Sequence, residues 1–319
     1  MKYNKIGKWG IEISELSLGS WLTLGNQISY DETKDIFVEA FRNGINFFDT
    51  AEVYAHGIAE SILGEVLKSF RRDDIVVSTK IFWGGNGPNK KGLSKKRIFE
   101  GTLASLKRLQ LNYVDIMYCH RPDPDTPLEE TLYAIDYLLK NGYILYWGTS
   151  QWEKERIERA NILCKEMNIM PPIVEQPIYN MFSREKVENE FKPLYTEYGM
   201  GTTIFSPLSS GLLTGKYQKE IPENSRLHKF KFIKDSLEKN GLFDKIIFEK
   251  IDKLIKLSKE LGTTINRLAI AWILKNENVS SVILGVSKIQ QLRDNLEAIS
   301  VKDKLDSSVM EEIEKILVS

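Results

Sequence analysis

The chain has 319 residues, 42% of them hydrophobic, and 44 Lys and Arg balance 44 Asp and Glu, so its formal net charge is zero. That balance argues against a nucleic-acid binder working through an overall basic surface. No apolar run reaches membrane-span length, the start "MKYNKIGKWGIEIS" has no apolar signal core, and Cys119 and Cys164 show neither metal spacing nor a disulfide framework. Together these predict a reducing, cytoplasmic setting without membrane insertion.

In chain order, "KYNKIGKWGIEIS" reads as a small hairpin turning near Gly7 to Gly10. Eight short apolar runs follow, at 15–20, 45–50, 75–80, 114–120, 144–150, 173–176, 202–207 and 281–287. Several are apolar on both faces, as parallel strands covered by helices must be. Amphipathic segments lie between them. "DETKDIFVEAFRNG" has an acidic start and stops at Gly44, "SKKRIFEGTLASLKRLQL" starts at Ser94 as its cap, "EETLYAIDYLLKNG" ends at Gly142, and "INRLAIAWILKN" is strongly apolar. Eight strands each followed by helix predict an α/β fold of one domain over 1–319, a closed (β/α)8 barrel. An N-terminal hairpin and a long charged excursion after strand seven, at about 211–245, complete it. An open doubly wound sheet is the alternative, weakened because no strand is followed by G-x-G-x-x-G.

Each run ends in a polar or small residue: Asp49, Lys80, His120, Ser150, Gln176, Ser206, and Gly285 with Ser287. In a barrel those ends meet on one face. A strand-end Ser or Asp is more often a cap than a catalyst, and a lone His there is usually structural. Lys80 is different, because an apolar strand carries it and it needs a counter-charge. Asp49 supplies one, and a structural ion pair is the plain reading of the two. Tyr54, just beyond strand two, changes that. A lysine within reach lowers a phenol's pKa, so Tyr54 becomes a proton donor for a forming alkoxide, with His120 positioning the carbonyl oxygen. The residues supply no electrons, so something else must bring them, and a nicotinamide would be the simplest carrier.

At this point the motifs match a known family. "GSWLTLG" (19–25), "GINFFDTAEVYAHGIAESILG" (44–64), "VVSTKIFWGG" (76–85), "RLQLNYVDIMYCHRPDPDTPLEET" (108–131), "YWGTSQW" (146–152), "PPIVEQPIYNMF" (171–182), "SPLSSGLLTGKY" (206–217) and "SSVILGVSKIQQLRDNL" (280–296) resemble the aldo-keto reductases over nearly the whole chain. The resemblance is closest to the branch that holds the β-subunits of voltage-gated potassium channels. It implies an NADP(H)-dependent reductase of aldehydes and ketones, with Tyr54 as general acid, Lys80 and Asp49 tuning it, and His120 orienting the carbonyl. It implies cofactor contacts from Ser20, Trp21, Asp49, Ser150, Gln151, Gln176, Phe205, Ser206, Pro207, Leu208, Ser210, Lys216, Arg226, Gly285, Ser287, Gln291, Asp294 and Asn295. Ser150 and Gln176 would hold the carboxamide and Phe205 would stack on the ring. Lys216 would lie along the pyrophosphate, and Arg226 would meet the 2′-phosphate. Trp21, Tyr54, Phe82, Trp83 and His120 would line an aromatic pocket suited to small aromatic or α-keto carbonyls. The glycines of "FWGGNGP" would belong to a mobile substrate loop. The resemblance also implies a second reading, a cofactor-bound, redox-sensing channel β-subunit with weak reductase activity. A homo-tetramer and a channel partner come with that branch.

Overall fold

The eight apolar runs become eight parallel strands. The computed structural model describes residues 1–21, 24–25, 29–223 and 225–319. Leu22 and Thr23 of the motif at 19–25, and Asn224 of the excursion, lie outside the described residues. A short antiparallel hairpin, β1 (Tyr3–Lys5) with β2 (Glu12–Ser14), comes first. The barrel then runs through β3 (Leu16–Gly19), β4 (Phe47–Asp49), β5 (Val76–Ile81), β6 (Val114–Cys119), β7 (Ile144–Ser150), β8 (Val174–Gln176), β9 (Gly201–Ile204) and β10 (Val279–Leu284), and β10 closes onto β3. The protein is therefore a (β/α)8 barrel with an N-terminal hairpin.

The chain divides into two compact units. The first, 1–177, 186–205 and 278–292, holds the hairpin and the whole barrel. Its helices include α1 (Tyr30–Arg42), α2 (Ile58–Leu67), α3 (Lys95–Leu109), α4 (Leu128–Lys140), α5 (Lys154–Glu166) and the short α6 (Lys192–Thr196). Local chemistry sets their ends. Ser29 accepts from the Glu32 amide while Glu32 accepts from the Ser29 amide, a capping box at the start of α1. Gly44 follows α1 with φ 89°, and Ser94 caps α3 as its sequence predicts.

Side chains alternate across a strand, so every second residue faces inward. Read that way, three barrel strands change from apolar to polar along their length: Phe47 then Asp49, Val76 then Ser78 and Lys80, Val174 then Gln176. At the apolar end Phe47, Val76, Ile116, Tyr118, Ile173 and Val174 form one buried cluster with Ile6 and Ile13 of the hairpin. The hairpin is thus a plug for the bottom of the barrel. The opposite end, where the strands finish, is polar. Outward residues meet helices. Thr79 donates to Glu60 of α2 at 2.5 Å, and Arg108 of α3 donates to the other oxygen of Glu60 at 2.7 Å.

The second unit comprises 178–185, 206–277 and 293–319. It contains α7 (Arg226–Lys229), α8 (Lys231–Lys239), α9 (Lys245–Glu260), α10 (Ile265–Leu274), α12 (Ala298–Val301) and α13 (Ser307–Val318). The helix α11 (Ile289–Leu296) crosses the division of the chain. Tyr179 packs on Trp272 of α10, ring centres 5.3 Å apart, and its hydroxyl accepts from Asn276. The long excursion after the seventh barrel strand is present and carries structure of its own: a 3-10 segment at Ser209–Thr214, then α7 and α8. Ser225 caps α7, and Ile233 and Leu237 bury one side of α8.

Candidate active site

The registers explain the site. Asp49 pairs across to Ser78 on β5, and Lys80 lies two residues further along β5, on the same face. Lys80 pairs across to Tyr118 on β6, and β6 ends one residue before His120. Tyr54 begins a 3-10 turn at Tyr54–Gly57, and Ala55 (φ 47°) and His56 (φ 54°) of that turn are left-handed.

These placements bring the four expected residues together. Lys80 is fully buried and Asp49 is 3% exposed. The Lys80 ammonium donates to Asp49 Oδ2 at 2.5 Å, to the Thr50 carbonyl at 2.8 Å and to the Tyr54 hydroxyl at 3.2 Å. All three ammonium donors are therefore engaged. The second Asp49 oxygen accepts from Ser78 at 2.7 Å and from the Gln176 amide at 3.1 Å. His120 meets the Tyr54 ring edge-on, centres 6.0 Å apart, and the Trp83 ring at 5.0 Å.

The protonation states follow from burial and charge. Burial alone would pull Lys80 down, but the Asp49 carboxylate and the Tyr54 oxygen carry it above its ordinary value, so it is a cation. Burial holds the Tyr54 hydroxyl above the ordinary phenol value, and Lys80 only partly offsets this. That corrects the expectation of a lowered phenol: desolvation of the phenolate outweighs the neighbouring cation. Tyr54 is held protonated and ready to donate. Burial, then the cations of Lys80 and Arg121, holds His120 well below its usual range, so its imidazole is neutral. Its buried Nδ1 has no hydrogen-bond partner among the described residues.

The remaining expected contacts divide between the two units. In the first, the Ser150 hydroxyl donates to the Gln176 carbonyl at 2.9 Å, and Ser20 donates to Thr50 at 2.8 Å. Gln151 turns left-handed (φ 58°) directly after β7, and the Phe205 amide donates to the Pro177 carbonyl. Trp21 is half-buried, whereas Gly285 is exposed. Phe82 and Trp83 pack edge to face, 4.8 Å between centres. Gln291 reaches back to accept from the Ser287 amide at 2.9 Å. The glycine-rich loop after Trp83 is held at its base, where Gly84 donates to Lys90, Gly92 to Phe82, and Leu93 to Asp123.

In the second unit, Ser206 and Ser210 are left-handed (φ 56° each), and Ser210 donates its amide to the Ser206 hydroxyl. Pro207 and Leu208 lead into the 3-10 segment at Ser209–Thr214. Burial lowers the pKa of both Lys216 and Arg226, and Arg226 lowers Lys216 further by repulsion. Two cations crowded together against desolvation are a donor set for a polyanion, which is the fit a dinucleotide's phosphates require. Asp294 accepts from Arg267 at 2.6 Å and from Asn266 at 2.6 Å, and Asn295 also accepts from Asn266. Asn266 and Arg267 were invisible in the sequence pattern, because they sit at the start of an apolar helix.

Three further residues were missed beside the barrel site. Ser78 and the Thr50 carbonyl complete the shells of Asp49 and Lys80. Glu52 accepts from the Phe82 amide at 2.7 Å and pairs with Arg97, both nearly buried. Its signal was a second acid three residues after Asp49 in "DTAEVY".

Sequence comparison decides the family. The model of the Aldo/keto reductase family matches residues 15–318. The chain belongs to the aldo/keto reductase family. Within that family it is similar to a protein of Arabidopsis thaliana described as "Probable voltage-gated potassium channel subunit beta", 49% identical over all of this chain and 97% of the relative. A rice protein (Oryza sativa subsp. japonica) with the same description is 47% identical over the same shares. Family membership makes the chain an oxidoreductase in general terms. Among the described residues, no helix is long and apolar enough to cross a membrane.

Proposed function

We propose that this aldo/keto reductase reduces small aldehydes and ketones to alcohols with NADPH. The observation that carries the reading is the chain of contacts Asp49–Lys80–Tyr54, with a protonated phenol at its end and the neutral His120 beside it. NADPH, when bound, would supply the hydride that the carbonyl carbon takes up. Tyr54 gives its proton to the carbonyl oxygen as negative charge develops there. Lys80 stabilises the phenolate that remains, and Asp49 keeps Lys80 charged and aimed. His120, with its unpartnered Nδ1, orients the carbonyl oxygen. Ser150 and Gln176 would hold the carboxamide and Phe205 the ring face. Ser20, Trp21, Gln151, Gly285, Ser287 and Gln291 would add contacts from the barrel. Ser206, Pro207, Leu208, Ser210, Lys216, Arg226, Asp294 and Asn295 would add those of the second unit. Trp21, Tyr54, Phe82, Trp83 and His120 line the substrate pocket. The family match over 15–318 supports treating 1–319 as one reductase domain, and we place its work in the cytoplasm as part of the same proposal.

The test is NADPH oxidation against a carbonyl panel, with Tyr54→Phe alongside. Loss of a general acid lowers kcat by about 10²–10⁴-fold. NADPH affinity, read by fluorescence titration, should stay nearly unchanged. Equal activity of the two proteins would remove Tyr54 from the chemistry.

The names of the two relatives favour a second reading, a β-subunit of a voltage-gated potassium channel; in that reading the chain would bind the cofactor, sense redox state and assemble as a tetramer. Tight NADPH binding with negligible turnover on every carbonyl would select it, as would a four-fold mass in solution together with binding to a purified channel.

A further inference from the structure

Arg121 follows His120 directly, where β6 leaves the barrel, and the proton transfer assigns it no task. Its guanidinium lies 5.2 Å from the centre of the Trp83 ring, and one Nη1 hydrogen bond, 2.5 Å, goes to the His120 carbonyl. Trp83 contacts His120, and His120 contacts Tyr54, so Arg121 ends an unbroken series of touching groups that begins at the general acid. A guanidinium has five N–H donors. Other buried or half-buried arginines of the first unit have acidic partners: Arg72 pairs with Asp115, Arg97 with Glu52 and Arg108 with Glu60. Among the described residues no Asp or Glu forms an ion pair with Arg121. Desolvation works against its charge, and only the more distant Tyr54 and Glu175 oppose that. A half-buried guanidinium with donors to spare is a site for a planar anion, because a carboxylate accepts two parallel N–H bonds from one fork.

We propose that Arg121 recognises a carboxylate on the substrate, so that the favoured carbonyls are aromatic 2-oxo acids and related carboxylated carbonyls. The carboxylate would meet Arg121, the aromatic group would lie against Phe82 and Trp83, and the carbonyl oxygen would face Tyr54 and His120. This rests on the reductase reading and deepens it.

The experiment compares phenylglyoxylate with its neutral methyl ester in the wild type, Arg121→Lys and Arg121→Gln, each checked for an unaltered melting transition. The ratio of kcat/KM for acid over ester should fall by about ten- to one-hundred-fold in Arg121→Gln, the size of a charge-assisted hydrogen bond. Arg121→Lys, which keeps the charge and loses the fork, should lie between. Benzoate binding, followed by tryptophan fluorescence with NADP⁺ present, gives a readout independent of turnover and should weaken in the same order. An unchanged ratio with unchanged benzoate affinity overturns the assignment while leaving the reductase reading intact. Benzoate binding that depends on Arg121 in a protein that reduces no carbonyl keeps the anion site and removes the reductase reading.

Discussion

Lys80 is the residue with most at stake, since a buried ammonium is tolerated only while every one of its partners stays in place. Replacing Asp49 alone by Asn, or Lys80 alone by Met, leaves one buried charge uncompensated, which costs about 3–5 kcal/mol. The double substitution removes both charges and should recover much of that stability while remaining inactive. A urea-denaturation double-mutant cycle measures this, and simple additivity would contradict the coupling. Glu175 offers a pH test. Burial pushes its carboxyl from 4.5 up to about 7, with Thr149 and the Gln151 and Trp152 amides pulling back. A raised folded value means that its stabilisation is complete below pH 4.5 and is lost as pH climbs to 7, by about 3 kcal/mol. Glu175→Gln should flatten the fall in stability over that window; an unchanged slope in equilibrium denaturation would refute it. At this scale the grouping of Asp49, Tyr54, Lys80 and His120 was legible because each ends or closely follows an apolar strand, where a charged or phenolic group stands out. The direction of the Tyr54 shift was not legible, because burial depends on neighbours that are distant in sequence.

At the scale of elements, close approach is set by missing side chains. A Cβ on Gly64 of α2 would lie 2.6 Å from the Leu109 carbonyl at the end of α3, and backbone cannot yield as a flexible side chain does. Gly64→Ala should destabilise by about 1–3 kcal/mol, as overpacking does, with little change in KM. A thermal melt checks it, and a neutral result would mean that the two helices can separate. The strands were legible to within a few residues, and the errors have causes. The seventh run, 202–207, yields a strand that stops at Ile204, before Ser206 turns left-handed. The eighth, 281–287, is shifted to Val279–Leu284, because pairing with β3 and β9 decides its span and apolar composition does not. In the excursion, the spacing of Ile233 and Leu237 was a helical signal, masked by the surrounding charge.

For the whole molecule, the count of eight strands carried the fold, since only closure leaves no edge strand in so regular an alternation. On the proposed reading the cofactor preference is less local, because it would depend on Lys216 and Arg226 of the second unit. Arg226→Ala should raise KM for NADPH more than for NADH, and an equal rise for both would show that this guanidinium does not read the 2′-phosphate. The gradient inside the barrel, apolar at the hairpin and polar at the strand ends, also has an evolutionary consequence. What keeps the chain folded and what it acts upon are written on different storeys of the same strands. On the proposed reading, drift in the loops around Trp83 and Arg121 can try new substrates at little risk to the fold, whereas drift at Ile6, Ile13, Phe47 or Ile116 can only lose it. A library of variants should therefore show tolerance rising from the floor of the barrel to its rim, broken at one point on the way up, Lys80.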